Sequence, residues 1–185
     1  MQSISLPMTD YSTLDDAALV KHASSDAEAF AVLYQRYLTP VYRYLYSRLG
    51  NEKDAEDLTA QVFTEALEGL AVYRERGRFA SWLFTIARRR LIDLYRQRAP
   101  DKLDDPPDNA PGLQAIIEQD ETYAQLEELL GKLNDDQQEI LRLRFAAGLE
   151  FAEVASVLKR SPGAVKMKLY RTLDWLRANW ESDHE

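Results

Sequence analysis

Cysteine is absent from the 185-residue sequence, and histidine occurs only twice, at His22 and His184. Without cysteine there are no disulfides and no thiolate metal sites, which suits the reducing conditions of the cytoplasm. The two histidines lie far apart in the sequence, so we do not expect a histidine-based metal centre or catalytic triad. These absences predict a cytoplasmic protein that holds no metal and no cofactor.

Long apolar runs are missing as well. No run of about eighteen apolar residues occurs, so no membrane insertion is expected. The first residues lack a basic start followed by an apolar core, so we do not expect a signal peptide. Glycine is scarce, and apolar residues recur at helical spacing in place of the alternation typical of strands. This pattern predicts an all-α protein.

A change in composition divides the chain. Residues 99–120 contain four prolines, and one basic residue against six acidic residues. Proline prevents a helix from continuing, and the charge favours a solvated connection. We therefore predict two small helical domains, residues 12–98 and 121–180, joined by an acidic, proline-rich linker at 99–120.

The segment "EFAEVASVLKRSPGAVKMKLYR", residues 150–171, has the shape of a helix-turn-helix. A short helix ends near Lys159, Ser161 can cap the next helix, and Pro162 suits its first position. The chain has a net charge of −8, yet residues 159–177 hold six cations and a single acid. Small residues followed by cations predict a recognition helix that enters the major groove of DNA. The alternative is an amphipathic helix with a solvated basic face. The residues predicted to face DNA are Ser161, Gly163, Ala164, Lys166, Met167, Lys168 and Arg171.

Arginines alternate with aromatic residues in the first domain. Residues 74–98 hold eight arginines against two acids, and the aromatic residues among and beside them are Tyr73, Phe79, Trp82, Phe84 and Tyr95. Aromatic rings stack on unpaired bases and cations follow the backbone, so this combination predicts a site for single-stranded nucleic acid. The alternative is that all five rings belong to the core.

Two acidic patterns have different interpretations. Asp54, Asp57, Gln61 and Glu65 follow one face of a predicted helix, which is either a docking face for another protein or a solvated surface. The run "DDQQE", which begins at Asp135, superficially matches a magnesium motif of isoprenoid synthases. It follows a natural N-cap residue, with glutamine three positions on, so we interpret it as the start of a helix. A helical metal-dependent enzyme is therefore disfavoured.

Taken together, these motifs resemble the extracytoplasmic-function (ECF) group of bacterial RNA polymerase sigma factors. The resemblance covers roughly residues 26–98 and 121–178. It rests on "DAEDLTAQVF", then "FASWLFTIARRRLIDLYR", then the linker, then "LNDDQQEILRLRFAAGLEFAEVASVLKRSPGAVKMKLYRTLDWLR". It implies a protein that is not an enzyme but binds core RNA polymerase, directs it to promoters and helps to open the duplex. The implied partners are core polymerase and promoter DNA, double-stranded upstream and single-stranded at the melted element. An anti-sigma factor would be a further protein partner.

The resemblance also assigns roles to residues. The polymerase-docking residues would be Asp54, Glu56, Asp57, Gln61 and Glu65. The segment from Arg78 through Arg96 corresponds to the minus-ten reader, with DNA-binding residues Arg78, Phe79, Trp82, Arg88, Arg89 and Arg96. Residues 161–171 correspond to the minus-thirty-five reader.

The sequence departs from the family pattern in places, among them residues 164–168, where "AVKMK" stands for the usual "TVKSR". Lys159 stands where the family often has glycine, Arg160 where an apolar residue usually follows, and Arg89 where asparagine is usual. The competing interpretation is a stand-alone helix-turn-helix regulator whose N-terminal helices bind a partner or a ligand. The motifs "DAEDLTAQVF" and "FASWLFTIARRR" favour the sigma factor, because an ordinary repressor has no need of them.

Overall fold

Helices form all the regular structure in the part of the chain that the computed structural model describes, residues 10–74, 78–98 and 121–182. After a short 3₁₀ turn, the N-terminal domain contains α1 to α4: Asp16–Ala23, Ala27–Leu49, Glu52–Gly69 and Phe79–Arg98. The C-terminal domain contains α5 to α8: Glu121–Gly131, Asp135–Leu141, Phe151–Leu158 and Pro162–Ser182. A π-helical turn, Arg142–Ala146, follows α6 directly.

The predicted all-α fold with two small helical domains is confirmed. The linker at 99–120 lies outside the described residues, and the exact domain boundaries stay predictions. Among the helices of the described ranges, none has the length and apolar character that crossing a membrane requires.

Local caps set the ends of the N-terminal helices. The Asp26 carboxylate accepts a hydrogen bond of 2.9 Å from the N–H of Glu28, and the Asn51 side chain accepts one of 3.0 Å from the N–H of Asp54. Gly50 ends α2 in the left-handed conformation, with φ of 64°, where glycine has no steric cost. The connection from α2 to α3 is therefore two residues long, and the two helices pack as a hairpin.

The core of the N-terminal domain fixes the orientation of α4. Side chains with no exposed surface come from α2, α3 and α4: Leu33, Val41, Tyr44, Leu45, Val62, Leu83 and Phe84. The rings of Tyr44 and Phe84 meet edge to face at a centroid distance of 5.6 Å. Burial of these residues turns one face of α4 inward and leaves its opposite face available for contacts.

The "DDQQE" run forms the start of α6. The Asn134 side chain accepts from the N–H of Gln137 at 3.0 Å, and the Gln137 side chain accepts from the N–H of Asn134 at 3.1 Å. This reciprocal pair is a capping box, as the sequence predicted. In the ranges that the structure covers, no three histidine, aspartate or glutamate side chains gather as a metal-binding group.

The turn between α7 and α8 has an unusual backbone conformation. The Ser161 hydroxyl accepts a hydrogen bond of 3.2 Å from the N–H of Ala164 and caps α8, as predicted. Lys159 ends α7 in the left-handed region, with φ of 54° and ψ of 47°. Its N–H and that of Arg160 both bond to the carbonyl of Ala155, which closes α7. A non-glycine residue therefore occupies a position that favours glycine.

We expect Lys159→Gly to raise the free energy of unfolding by roughly 1 kcal/mol. The left-handed conformation costs a non-glycine residue about 1–2 kcal/mol, and the greater freedom of glycine in the unfolded chain offsets part of the gain. Urea denaturation of the full chain measures the effect. The matched control is Lys166→Gly in the right-handed helix α8, which should lose about 1 kcal/mol. Equal losses for the two variants would contradict this explanation.

Candidate nucleic-acid and docking interfaces

A cleft of about 730 Å³ opens between α3 and the N-terminal half of α4. Its lining combines arginines, aromatic rings and acids, namely Arg74, Arg78, Arg89, Tyr73, Trp82, Glu65 and Glu68. Helix α7 contributes one further residue, Ser156. Aromatic rings offer stacking surfaces to unpaired bases, and guanidinium groups bind backbone phosphates. The composition of the cleft therefore suits single-stranded nucleic acid.

Trp82 presents the largest ring of this cleft. It is partly exposed, and its ring centroid lies 4.5 Å from that of Tyr73, with the two planes inclined by 35°. A Cβ atom at Gly69 would lie 3.0 Å from Cζ2 of Trp82, so glycine leaves the space that the indole occupies. The indole is therefore held in place while part of it stays accessible from the cleft.

Phe79 lies in the core, which corrects the position that we predicted for it. Its side chain is 2% exposed, and its ring meets that of Tyr37 edge to face at 5.4 Å. It also contacts Tyr73 and Trp82, at centroid distances of 6.2 and 5.7 Å. Because a buried ring offers no face to a base, we reassign Phe79 as a support for the aromatic cluster.

Glu65 lies in the cleft and binds two arginines of α4. The Nε of Arg90 donates to Oε2 of Glu65 at 2.5 Å, and Arg89 forms an ion pair with Oε1. The sequence grouped Glu65 with Asp57 and Gln61 as a docking residue. The structure instead places it beside the nucleic-acid candidates, where its carboxylate sets the position of the Arg89 guanidinium.

Only some of the residues that were predicted to bind nucleic acid at α4 lie together in the cleft. Arg78, Trp82 and Arg89 line the cleft. Arg88 points towards the C-terminal domain and pairs with an acid of α6. Arg96 is exposed near the C-terminal end of α4, outside the cleft lining. The cleft candidates are therefore concentrated at the start of α4.

The predicted docking face of α3 has three exposed members. Glu56, Asp57 and Gln61 are exposed along the helix. Asp54 accepts a hydrogen bond of 2.8 Å from Nη2 of Arg98, and this bond lowers the pKa of the Asp54 carboxyl below its usual value. Asp54 therefore links α3 to the end of α4, and the exposed part of the face begins at Glu56.

Helix α8 buries one side and exposes the other. Val165 and Leu169 are 1% and 3% exposed, and Thr172 beside them is also buried. The exposed residues of the predicted DNA-facing side are Ser161, Gly163, Ala164, Lys166, Met167 and Arg171. Lys168 is partly buried and forms an ion pair with Asp136 of α6. The side facing solvent is therefore basic and carries small residues at its N-terminal end.

Asp136 is a residue of this interface that the sequence analysis missed. It accepts a hydrogen bond of 2.7 Å from Nη1 of Arg160 and a second from Lys168. Burial raises the pKa of this carboxyl, but the two hydrogen bonds outweigh burial, so the pKa of Asp136 lies below its usual value. In the sequence it is an acid in the first turn of a helix, where the dipole favours any acid. Arg74 was missed too, although the arginine-rich run includes it.

The helix-turn-helix in one domain and the aromatic–arginine cleft in the other define an all-helical, two-domain DNA-binding protein. Two family models match the chain, Sigma-70 region 2 over residues 33–100 and Sigma-70 region 4 over residues 123–176. Each match falls on one of the two domains.

Comparison with individual relatives assigns the chain to a narrower group of sigma factors. The chain is 34% identical over 176 residues to the ECF RNA polymerase sigma factor BldN of Streptomyces coelicolor, covering 90% of this chain and 66% of that protein. It is 35% identical over 189 residues to the ECF RNA polymerase sigma factor ShbA of Streptomyces griseus subsp. griseus, covering 92% of this chain and 98% of that protein. The chain belongs to the ECF group of RNA polymerase sigma factors. It is a transcription initiation factor that binds core RNA polymerase and directs it to promoters, and the stand-alone regulator is not favoured.

One solved structure resembles both domains together. CnrH, in complex with the cytosolic domain of CnrY, matches with a TM-score of 0.66 and 26% sequence identity. The match covers 91% of this chain and 98% of CnrH. The similarity therefore extends over nearly all of both chains.

Proposed function

We propose that this sigma factor captures an opened strand of the minus-ten element in the cleft around Trp82. In the same proposal, α8 reads the minus-thirty-five element, and the exposed acidic face of α3 docks on core polymerase. The cleft is the observation that carries this proposal, because it combines a partly exposed indole with Arg78 and Arg89. These are the groups that hold unpaired bases and their phosphates.

Strand opening follows from binding alone in this proposal. A protein shifts the equilibrium between duplex and opened DNA by binding the opened strand better. Extruding a base costs a few kcal/mol, stacking on an aromatic ring returns about 1–3 kcal/mol per base, and arginine–phosphate contacts add to it. The protein therefore needs no catalytic residue, and we propose that it is not an enzyme and acts in the cytoplasm.

An anti-sigma factor is a further proposed partner. The solved structure of CnrH contains the cytosolic domain of CnrY, and CnrH resembles this chain over both domains. A partner of the same kind would bind this chain and compete with core polymerase for it.

Transcription in vitro with purified core polymerase tests the function directly. The chain should direct initiation from specific members of a promoter library, and thymines of the minus-ten region should become reactive to permanganate. Initiation no higher than that of core polymerase alone, across the whole library, would overturn the proposal.

A separate prediction concerns the recognition helix. Arg171→Ala and Lys168→Ala should each weaken holoenzyme binding to the upstream duplex, by about tenfold for Arg171, because a base contact contributes roughly 1–3 kcal/mol. The effect of Lys168 should be smaller, because Asp136 already neutralises it. Titrations with labelled duplex at several salt concentrations measure both. Arg177→Ala, an exposed cation further along α8, is the control. Unchanged binding by the double variant of Arg171 and Lys168 would show that this side of α8 does not read the upstream duplex.

A further inference from the structure

The first turn of α6 holds α8 by polar contacts. Asp136 accepts a hydrogen bond from the ammonium group of Lys168, and Nε2 of Gln137 donates to Oγ1 of Thr172 at 3.2 Å. The hydroxyl of Thr172 donates in turn to the backbone carbonyl of Lys168 at 2.9 Å. Lys168 and Thr172 are one helical turn apart, so adjacent residues of α6 hold one row of side chains on α8. The run "DDQQE" therefore contacts α8 in addition to starting its own helix.

A further contact joins the turn of the helix-turn-helix to the same carboxylate. Nη1 of Arg160 donates to Asp136 at 2.7 Å. Arg160 stands where an apolar residue is usual in the family, so this chain has an ion pair at a place where apolar packing is usual. One carboxylate therefore binds both the turn and α8.

Apolar packing and hydrogen bonds constrain α8 in different ways. Val165 and Leu169 are buried and hold α8 against the rest of its domain. The hydrophobic effect has no preferred direction, so this packing alone leaves α8 some freedom to rotate about its axis. A hydrogen bond depends on distance and angle, so the contacts of Asp136 and Gln137 restrict that rotation.

The row that α6 holds adjoins the row predicted to face DNA. Met167 and Arg171 are exposed, and each precedes Lys168 or Thr172 by one position, which is about 100° around the helix. A rotation of α8 by about 20° moves a point on the helix surface, about 6 Å from the axis, by about 2 Å. A hydrogen bond needs a donor–acceptor distance of about 2.7–3.2 Å, so this displacement breaks a contact to a base edge. Rotation of α8 therefore changes the base edge that Arg171 can reach.

The ion pairs of Asp136 stabilise the fold only weakly. The side chains of Asp136, Arg160 and Lys168 are 28%, 41% and 35% exposed, and ion pairs that are open to solvent contribute little to stability. We therefore expect the protein to stay folded when the charge of Asp136 is removed. An effect on the placement of α8 can then be measured separately from an effect on stability.

We propose that Asp136 and Gln137 are positioning residues of the recognition helix. They fix the rotation of α8, and thereby the base pairs of the minus-thirty-five element that its exposed side chains distinguish. Asp136 acts through Lys168 and Arg160, and Gln137 acts through Thr172, so neither residue has to touch DNA. This inference rests on the proposed function, because it takes α8 as the reader of that element.

The variant Asp136→Asn removes the charge and keeps the size of the side chain. The measured quantity is a ratio of two holoenzyme affinities, for the upstream duplex of a promoter from the library and for the same duplex with one base pair replaced. The replaced pair is the one at which the wild type discriminates most. This ratio should be about ten or more for the wild type and about three or less for Asp136→Asn. A ratio is used because the released cations strengthen phosphate contacts to both duplexes alike.

Three further variants test the assignment. Asp136→Glu keeps the carboxylate and should restore most of the lost discrimination. Thr172→Val removes the hydroxyl that Gln137 binds and should lower the ratio by less, because the contacts of Asp136 remain. The matched control Asp174→Asn makes the same chemical change at an exposed position of α8 and should leave the ratio unchanged. Thermal unfolding checks that every variant is folded. An unchanged ratio in Asp136→Asn or Thr172→Val, or an equal loss in Asp174→Asn, would overturn the proposal.

A measurement without DNA separates this inference from the proposed function. The chain has no cysteine, so spin labels can be attached at Ala152→Cys on α7 and Ala178→Cys on α8, which are exposed positions. Double electron–electron resonance on the free, labelled full chain should show a distance distribution that is shifted or broadened by about 2 Å when Asp136→Asn is added. Identical distributions would overturn the positioning role. If the wild type initiates from no member of the library, the proposed function fails, and these distributions alone decide whether Asp136 positions α8.

Discussion

Two lysines placed on the exposed face of α3 are expected to lower the affinity for core RNA polymerase by about a hundredfold. The change is Asp57→Lys with Gln61→Lys, and these positions are exposed and one helical turn apart. Like charges brought together at an interface cost several kcal/mol, and about 3 kcal/mol corresponds to a hundredfold loss. The fold should be unaffected. Asp54 is left unchanged, because its bond to Arg98 connects α3 with α4.

The control for this prediction matches its change in charge. Asp174→Lys with Ala178→Lys also alters the net charge by three units at exposed positions one turn apart, but on α8. Titration of labelled sigma factor with core polymerase, in the absence of DNA, compares the two double variants. Thermal unfolding checks that both are folded. Equal affinities for core polymerase would show that the docking face lies elsewhere.

The combined variant Arg78→Ala with Arg89→Ala is expected to slow open-complex formation by about a hundredfold while core binding stays intact. A hydrogen bond to a charged group contributes about 1.5–3 kcal/mol, so the loss of two such contacts to phosphates reaches about 3 kcal/mol. Both side chains are exposed, so their removal spares the core. Phe79→Ala does not serve this purpose, because emptying a buried aromatic site costs about 3–5 kcal/mol of stability.

A template with a premelted bubble should restore much of the lost activity, because the cost of opening has been removed. Permanganate footprinting of unpaired thymines follows opening on the duplex template. Lys21→Ala with Arg43→Ala removes two exposed cations from α1 and α2 and should leave opening unchanged. Normal opening by the cleft variant, or an equal defect on the bubble, would show that the cleft is not the element that melts DNA.

Helix ends could be predicted because their causes lie within a few residues. Asp26, Asn51, Asn134 and Ser161 cap helices through N–H groups two or three positions ahead, and all four are residue types that favour the N-cap position. The order of motifs along the chain identified the family for a related reason. Each motif is a continuous segment whose residue types can be read without knowing its neighbours in space.

The contacts between domains could not be predicted in this way. Glu139 bonds to Tyr44, 95 positions away, and no local pattern distinguishes it from a solvated acid on a helix. Phe79 and Trp82 both stand at the start of α4, and only packing decides which ring is buried. Tyr37 covers Phe79 in the folded domain, whereas Trp82 faces the cleft.

If α8 reads DNA as proposed, we expect Asp136 to affect the time that the protein spends at wrong sites on a genome. Each cation that binds a phosphate releases a counter-ion and adds to affinity for DNA of any sequence. By engaging Lys168 and Arg160, Asp136 withdraws two cations from this sequence-independent attraction. A genome offers about a million or more competing non-specific sites. Weaker sequence-independent binding shortens the time that the protein stays bound at each of them. On the proposal that α8 reads DNA, we therefore expect the acid to shorten the search for a promoter.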